Sequence, residues 1–188
     1  GDMQLRETIA WKLTTQNQIP TKATEVLVTV GLSEAIFDLL CTILDAGDEI
    51  LVPDPVWMNY VNVPRLLGAV PVSYKLREEN DYQMDLDEVR SKITDKTKAL
   101  VIVTPNNPTG SVLSEEVLTE LAKLAVEKDI LIIADEVYER LLYDGTKHVS
   151  IASLPGMKER TFTLNGMSKA YSMTGWRLGY VSAPEEYI

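Results

Sequence analysis

Apolar residues along the chain follow two patterns that alternate with each other. Short runs rich in Val, Ile and Leu predict seven strands, at residues 25–30, 49–52, 70–74, 99–103, 130–134, 161–164 and 178–182. Between them, apolar positions recur every three or four residues, which is typical of amphipathic helices. These stretches predict a first helix capped by Asp2, with Leu5, Ile9 and Leu13 on one face, and four more helices at 33–44, 56–67, 85–93 and 114–128.

The order of these elements predicts the architecture. Strands that are mostly separated by helices form largely parallel sheets with helices on both faces. We therefore predict an α/β fold, a three-layer α/β/α sandwich with a mostly parallel seven-stranded sheet. No internal repeat, linker or low-complexity tract divides the sequence, so residues 1–188 are expected to form one domain.

The composition and net charge exclude several classes of binding partner. The 188 residues are 45% hydrophobic and 24% charged, as in an ordinary globular protein, and the net charge of -10 argues against nucleic acid. One cysteine, Cys41, allows no disulfide within the chain, which fits the cytoplasm, and its apolar surroundings predict a buried side chain. One histidine, His148, excludes His-rich metal sites, so we expect no metal. Neither a membrane-spanning run nor a secretory signal is present, so no membrane partner is expected.

The last residues, 183–188, have the proline and acidic residues that are typical of the first turn of a helix. Because the sequence stops at that point and lacks an initiator methionine, we expect it to be a fragment.

Candidate chemistry is concentrated where predicted strands end. Lys169 and Arg177 lie between the last two strands, and ligands of α/β sheets bind beyond the carboxyl ends of strands. A loop lysine is usually only solvated, and an arginine at the start of a strand is usually on the surface. The arginine fork also suits a phosphate or a carboxylate. Whether Lys169 or Arg177 has a functional role therefore depends on which other residues lie nearby.

Two further segments have both a structural and a functional interpretation. Gly31, Leu32 and Ser33 join a strand to a helix, where free amides bind anions, although a simple helix cap explains the same residues. Trp57 follows the next strand and would stack on a planar ring, but it also fits an ordinary core or rim aromatic.

Polar side chains follow two more strands. Asn107 lies in a turn, 104–110, whose two prolines and glycine hold side-chain amides in fixed positions, as a turn without function also would. Asp135 ends an apolar strand, where a carboxylate is unfavourable unless it is paired, and Tyr138 can point the same way. A cationic ligand nitrogen would pair Asp135, whereas the alternative is an aspartate that caps the next turn.

Taken together, these sites supply an anion cradle, an arginine, an aromatic plate, a carboxylate, a phenol, an amide and a lysine. A phosphorylated aromatic aldehyde with a ring nitrogen, pyridoxal phosphate, needs all of them.

Three segments of the sequence carry a family resemblance: Asn106-Asn107-Pro108-Thr109-Gly110, Asp135-Glu136-Val137-Tyr138, and Ser168-Lys169 with Met173-Thr174-Gly175-Trp176-Arg177-Leu178-Gly179-Tyr180. Through them the chain resembles the aspartate aminotransferase family, class I aminotransferases of fold type I that use pyridoxal phosphate. The resemblance covers essentially the whole chain, with the motifs in the right order. It implies transfer of an amino group between an aspartate-like or aromatic amino acid and a 2-keto acid.

The resemblance assigns catalysis to Lys169, Asp135 and Tyr138. Lys169 would attach the cofactor covalently and then act as a general base, for which a desolvated, neutral amine is expected. Asp135 would bind the pyridinium nitrogen, and Tyr138 would donate to the ring's phenolate oxygen. The remaining cofactor ligands would be Asn107 at the same oxygen, Trp57 on the ring, and Arg177 with Gly31, Leu32 and Ser33 at the phosphate.

In one place the sequence departs from the family pattern. The family commonly has a phosphate-binding serine three residues before the lysine, and that position is Gly166 here. The neighbouring Ser168 does not inherit the role, so the phosphate is expected to be held less firmly.

The resemblance also implies that much of a complete enzyme lies outside these residues. The small domain, the N-terminal arm and the substrate-binding arginine have no counterpart, so residues 1–188 are expected to be the cofactor-binding large domain of a homodimer, inactive or poorly active alone. Two alternatives share this fold, a lyase or synthase that uses the same cofactor and a sensor domain of a transcription regulator. A plain nucleotide-binding domain would leave Lys169, Asp135 and Tyr138 unexplained.

Overall fold

The computed structural model describes all 188 residues. Five α-helices are present: α1 (Met3–Gln16), α2 (Leu32–Ile43), α3 (Asn59–Leu66), α4 (Leu86–Lys92) and α5 (Glu115–Lys128). Seven strands form a single sheet: β1 (Val26–Val30), β2 (Glu49–Asp54), β3 (Val70–Lys75), β4 (Thr97–Val103), β5 (Leu131–Asp135), β6 (Thr161–Gly166) and β7 (Leu178–Ser182). Short 3₁₀ turns fill several of the connections.

The sheet is mixed but mostly parallel. Its strand order is β1-β7-β6-β5-β4-β2-β3, and β7 runs antiparallel to both of its neighbours. The other six strands point in one direction, so their carboxyl ends share one edge. The predicted three-layer α/β/α sandwich with a mostly parallel seven-stranded sheet is confirmed.

Alternation along the central strands separates two hydrophobic cores. In β4, Val101 and Val103 pack with the core under α2 and α3, whereas Leu100 and Ile102 pack with the core under α5. Each core contains 18 buried residues, and burying one Leu or Ile side chain contributes roughly 1.5–3 kcal/mol. Burial on both faces explains why the strand sequences are continuously apolar.

A third, smaller core lies under α1. Ile9 and Leu13 of that helix pack against Val26 of β1 and Tyr180 of β7, as the apolar face of the predicted helix required. Asp2 caps the helix by accepting a hydrogen bond from the Leu5 amide at 3.2 Å. This helix therefore holds the β1–β7 side of the sheet.

Three local predictions were wrong. Cys41 is exposed, because the buried side of α2 runs through Ile36, Leu40 and Ile43 and leaves Cys41 on the opposite side. The third helix begins at Asn59 rather than at residue 56, because the chain still turns after Pro55. The last residues form a single 3₁₀ turn, Glu185–Tyr187, instead of the start of an α-helix. No helix in the structure combines the length and the apolar character needed to cross a membrane.

Candidate active site

A cavity of about 260 Å³ opens at the carboxyl edge of the central strands. Its walls come from the ends of β4, β5 and β6, the start of α2 and the loop between β6 and β7. The structure brings together eight of the nine site residues that the sequence predicts: Leu32, Ser33, Trp57, Asn107, Asp135, Tyr138, Lys169 and Arg177. The ninth, Gly31, lies directly behind Arg177.

Asp135 is the buried anion of this cavity. Ile133 faces the core under α2 and α3, so the alternation of β5 turns Asp135, two residues later, to the same side. Its carboxylate accepts a hydrogen bond from the Tyr60 hydroxyl at 2.8 Å and one from the Val137 amide at 3.2 Å. Burial raises the pKa of Asp135 to about 6, although the hydrogen bond from Tyr60 lowers it in part. No cation pairs with this carboxylate within the chain.

Tyr60 is a site residue that the sequence analysis missed. It lies in α3 and is fully buried, and burial followed by the charge of Asp135 raises the pKa of Tyr60 well above its ordinary value. The phenol therefore remains a hydrogen-bond donor. A tyrosine within an apolar helical stretch looks like core, and nothing local to it indicates a partner 75 positions away. Its only signal was the preceding Trp57, which marked this segment as part of the site.

Arg177 and Gly31 are in contact at one end of the cavity. We call this the anion end, because the guanidinium makes it positively charged. Gly31 has a φ of +73°, and a Cβ at this position would lie 2.2 Å from Arg177 Nη2, so only glycine allows the guanidinium to approach. Arg177 also donates from Nη1 to the Thr174 carbonyl oxygen at 2.9 Å. No side chain caps the N-terminus of α2, so its first amides face the cavity together with the guanidinium.

Gly179 allows this end of α2 to lie against the sheet. A Cβ on Gly179 would be 2.4 Å from the Gly31 carbonyl carbon and 2.5 Å from the Leu32 nitrogen. The helix N-terminus therefore rests directly on the backbone of β7. This close approach fixes where the amides of Leu32 and Ser33 point.

Lys169 lies in the loop after β6 and is exposed. Its ammonium group is 5.7 Å from the centre of the Tyr138 ring, so the lysine and the phenol occupy the same side of the cavity. The desolvation expected around Lys169 is absent from this chain, because nothing within residues 1–188 covers the loop.

The other cavity residues differ in how firmly they are held. Trp57 is exposed at the rim, whereas Asn107 is partly buried. Asn106 is buried and accepts hydrogen bonds from Thr109, so this neighbour stabilises the turn that presents Asn107. Ser168 also lines the cavity.

Gly166 has a packing reason for not being a serine. It pairs with Gly179 across β6 and β7, and a Cβ on Gly166 would lie 2.9 Å from the Leu178 carbonyl oxygen. A side chain here would have to displace the backbone of β7. The residue is therefore determined by the contact between the two strands.

Sequence comparison relates the whole chain to one protein family. The sequence model of the family described as "Aminotransferase class I and II" matches residues 1–188. The chain is 47% identical over its whole length to a probable aspartate/prephenate aminotransferase of Aquifex aeolicus, and 47% identical over 98% of its length to aromatic-amino-acid aminotransferase 2 of Thermococcus litoralis. It covers 48% of each of these relatives, about half their length.

Solved structures extend the likeness to three dimensions. The crystal structure of an aromatic aminotransferase from Pyrococcus horikoshii superimposes on the whole chain with a TM-score of 0.97 at 46% identity, and the chain covers 50% of it. An aspartate aminotransferase of Thermus thermophilus with maleate superimposes with a TM-score of 0.96 at 44% identity, and 48% of that structure is covered.

Proposed function

The chain belongs to the class I and II aminotransferase family, and on that premise we propose that the protein transfers amino groups between amino acids and 2-keto acids with pyridoxal phosphate. The observation that carries this proposal is the convergence of Lys169, Asp135 and Tyr138 with Arg177 in one cavity. The relatives named above are all aminotransferases, which favours amino-group transfer over the lyase and sensor-domain alternatives.

The residues around the cavity fit pyridoxal phosphate chemically. Asp135 is buried without a cation, and a protonated ring nitrogen would supply one. Arg177 and the uncapped start of α2 offer charge and amides to a phosphate. Lys169 supplies the only lysine amine in the cavity, and Trp57 supplies an aromatic face.

The bound cofactor supplies an electron sink for negative charge that forms at the substrate's α-carbon. The protein's own groups bind, orient and move protons around it. Lys169 would be the attachment point and, once released, the general base that moves the proton at the α-carbon. Asp135 would keep the ring nitrogen protonated, and the Tyr138 phenol with the Asn107 amide would donate to the phenolate oxygen. Tyr60 and Val137 hold the Asp135 carboxylate in its orientation.

Substrate class, assembly and location belong to the same proposal. The printed names of the relatives include aspartate, prephenate and aromatic amino acids, so we infer an acidic or aromatic amino acid as the donor. Residues 1–188 would be the cofactor-binding large domain, with the small domain in the part of the relatives' length that the chain does not match. A homodimer in the cytoplasm is the assembly we propose for the whole protein.

Replacing the proposed attachment residue tests the function. In the full-length protein, Lys169→Ala should lower transamination of aspartate or phenylalanine by about 100-fold or more, because the general base is lost. Borohydride reduction of the wild type with pyridoxal phosphate, followed by peptide mapping, should label Lys169. The matched control is Lys123→Ala, an exposed helix lysine that should keep full activity and labelling. Normal turnover in Lys169→Ala would refute the assignment.

A further inference from the structure

A second group of charged side chains lies behind the cavity, on the side facing α1. Glu136 and Glu139 follow β5, and they meet His148 and Lys12 of α1 beneath an open polar pocket that Glu139 and His148 line. The exposed fractions of the four side chains are 0%, 7%, 8% and 12%. We call these four residues the rear charge cluster. Buried charges of this kind are rare unless they compensate one another.

The carboxylates of the rear charge cluster are held from two sides. Glu136 accepts a hydrogen bond from the Ser150 hydroxyl at 2.5 Å and lies 3.1 Å from His148 Nε2. Glu139 forms an ion pair with Lys12 and accepts a hydrogen bond from Asn17 Nδ2 at 2.6 Å. Neither nitrogen of His148 has an aligned hydrogen-bond partner, so the ring is held chiefly by charge. Ion pairs and hydrogen bonds from two places, the loop containing His148 and helix α1, therefore hold the segment that follows β5.

Side chains of the segment that follows β5 are divided between the cavity and the rear charge cluster. Asp135 and Tyr138 line the cavity, whereas Glu136 and Glu139 turn away from it into the rear charge cluster. Glu139 donates its amide to the Glu136 carbonyl oxygen at 2.9 Å, so the segment is a tight turn and cannot shift one side without the other. Gly166 forms part of the wall of the cavity and of the small pocket beside Lys12 and Glu139.

Charge balance in the cluster depends on the histidine. Two buried carboxylates face one lysine, and a protonated His148 supplies the second positive charge. Burial lowers the pKa of His148, but the ion pair with Glu136 and the charges of Glu136 and Glu139 outweigh it, so the pKa lies above its ordinary value of 6.5. Lys12 opposes this rise. The nearby Arg140 lies 3.9 Å from Glu139 at the surface.

The remaining group that faces the carboxylates does not titrate in the same range. Tyr180 of β7 is buried, and burial followed by the charges of Glu139 and Glu136 raises the pKa of its phenol well above the ordinary value. Tyr180 is therefore neutral wherever His148 titrates. Because the folded-state pKa of His148 is raised, its stabilisation is complete below pH 6.5 and is lost as the pH rises through the folded-state value.

We propose that Glu136, Glu139 and His148 are positioning residues for Asp135 and Tyr138, and that loss of the His148 proton loosens the segment carrying them. The inference rests on the proposed function for its catalytic meaning, but the positioning itself is a property of the folded chain. A divalent cation is the competing occupant of two carboxylates and an imidazole whose ligand atoms lie within 4.8 Å of one another. Lys12, Asn17 and Ser150 already occupy the carboxylate oxygens, which favours the ion-pair cluster.

Hydrogen exchange tests the positioning without a cofactor. Amide protection factors of residues 136–140 in the wild-type chain should fall about tenfold or more as His148 loses its proton, since a buried ion pair is broken. His148→Gln should show the low protection at every pH, and His148→Lys, which keeps the charge, should retain high protection at every pH. Arg90→Gln, which breaks an exposed ion pair with Glu127, is the matched control and should follow the wild type.

The transition should coincide with the His148 midpoint, measured from imidazole NMR resonances identified by their absence in His148→Gln. Over the same pH range, the dissociation constant for pyridoxal phosphate should rise about tenfold more in the wild type than in His148→Lys, because Asp135 and Lys169 are unchanged in both proteins. If the protection factors changed neither with pH nor with either substitution, the proposal would be wrong. Zn²⁺ retained at one ion per chain and lost in His148→Gln would overturn it in favour of a metal site. Failure of the full-length protein to bind pyridoxal phosphate at any pH would reject the proposed function alone, because hydrogen exchange still decides the positioning.

Discussion

At the scale of single residues, Asp135 is an acid whose burial is unfavourable for the fold but whose charge would suit a cationic ligand in the cavity. The carboxylate is buried in the wall of the cavity and has no cation within the chain, so its ionised form is poorly stabilised. Tyr60 and Val137 offset part of this penalty and fix the direction of the oxygens. The cavity is therefore preorganised for a ligand that brings a positive charge.

Asp135→Asn should stabilise the cofactor-free chain while abolishing most transamination. A rise in the Asp135 pKa from 3.8 to about 6 corresponds to a penalty of about 3 kcal/mol for ionisation in the folded state. Because the folded-state pKa is raised, the wild type loses this stability as the pH rises from 3.8 through about 6. Urea unfolding should show the variant's advantage growing up to about pH 7 and then staying constant.

The control for this prediction is Asp54→Asn, at the end of β2 on the same edge of the sheet. Its side chain is 44% exposed and its ion pair with Lys75 is at the surface, so the substitution should change the unfolding free energy by at most about 1 kcal/mol. A constant stability difference between Asp135→Asn and the wild type at every pH would contradict the burial argument.

At the scale of elements, the decisive contact is the one between the start of α2 and β7. Two glycines meet there: the missing side chain of Gly179 lets the helix N-terminus reach the sheet backbone, and that of Gly31 leaves room for the Arg177 guanidinium. Arg177 enters the same space from the loop before β7. The anion end of the cavity is thus built from three elements that are distant in sequence.

Gly179→Ala should disturb this junction. Its new methyl group would lie within 2.5 Å of the Gly31–Leu32 peptide, so α2 must move, at an expected loss of roughly 1–3 kcal/mol in unfolding free energy. Inorganic phosphate should also protect the variant less well against thermal unfolding than the wild type. Gly175→Ala is the matched control, because a Cβ there meets nothing within 4 Å. Equal stability and phosphate protection in the two variants would contradict the close-approach interpretation.

Most elements could be predicted because local patterns encode them. The caps at Asp2, Asp85 and Ser114 and the apolar strands are local signals, and the helices and strands formed where those signals are. Contacts made by folding are different. The hydrogen bond from Tyr60 to Asp135 joins α3 to β5, and the steric reason for Gly166 depends on β7, so neither could be inferred from neighbouring residues.

The proximity of the predicted site residues could be inferred because they lie near strand ends or at a helix start, where the fold itself directs side chains to one edge. The rear charge cluster could not, since Lys12, Glu136 and His148 belong to three separate segments. Cys41 shows that local patterns can also mislead, because apolar neighbours in the sequence do not indicate which side of a helix is buried.

At the scale of the whole molecule, the cavity is open on the side where Lys169 is exposed. Trp57 at the cavity rim is exposed, and so are Tyr171 and Trp176 of the Lys169 loop, so this side of the chain has a rim of exposed aromatic side chains. The chain spans about half the length of the relatives it matches. We propose that the remaining half and a partner subunit cover this rim.

The 188-residue chain alone should bind pyridoxal phosphate more weakly than the full-length protein, by about tenfold or more, because desolvation around the lysine is lost. A titration followed by visible absorption would measure this, with sedimentation velocity to record the assembly of each sample. Transamination by the short chain should be slow or absent. Turnover equal to that of the full-length protein would show that residues 1–188 contain everything the reaction needs.

The order of strands also has a consequence for synthesis. β1 pairs only with β7, although β7 follows it by about 150 residues, after the five other strands of the sheet have been synthesised. Until residue 182 has been translated, β1 has no neighbour in the sheet, and Gly31 and Ser33 have no Arg177 beside them. The end of the cavity formed by Arg177 and the start of α2 therefore cannot assemble before β7 has been synthesised. If pyridoxal phosphate binds there as proposed, the nascent chain captures it only after that point.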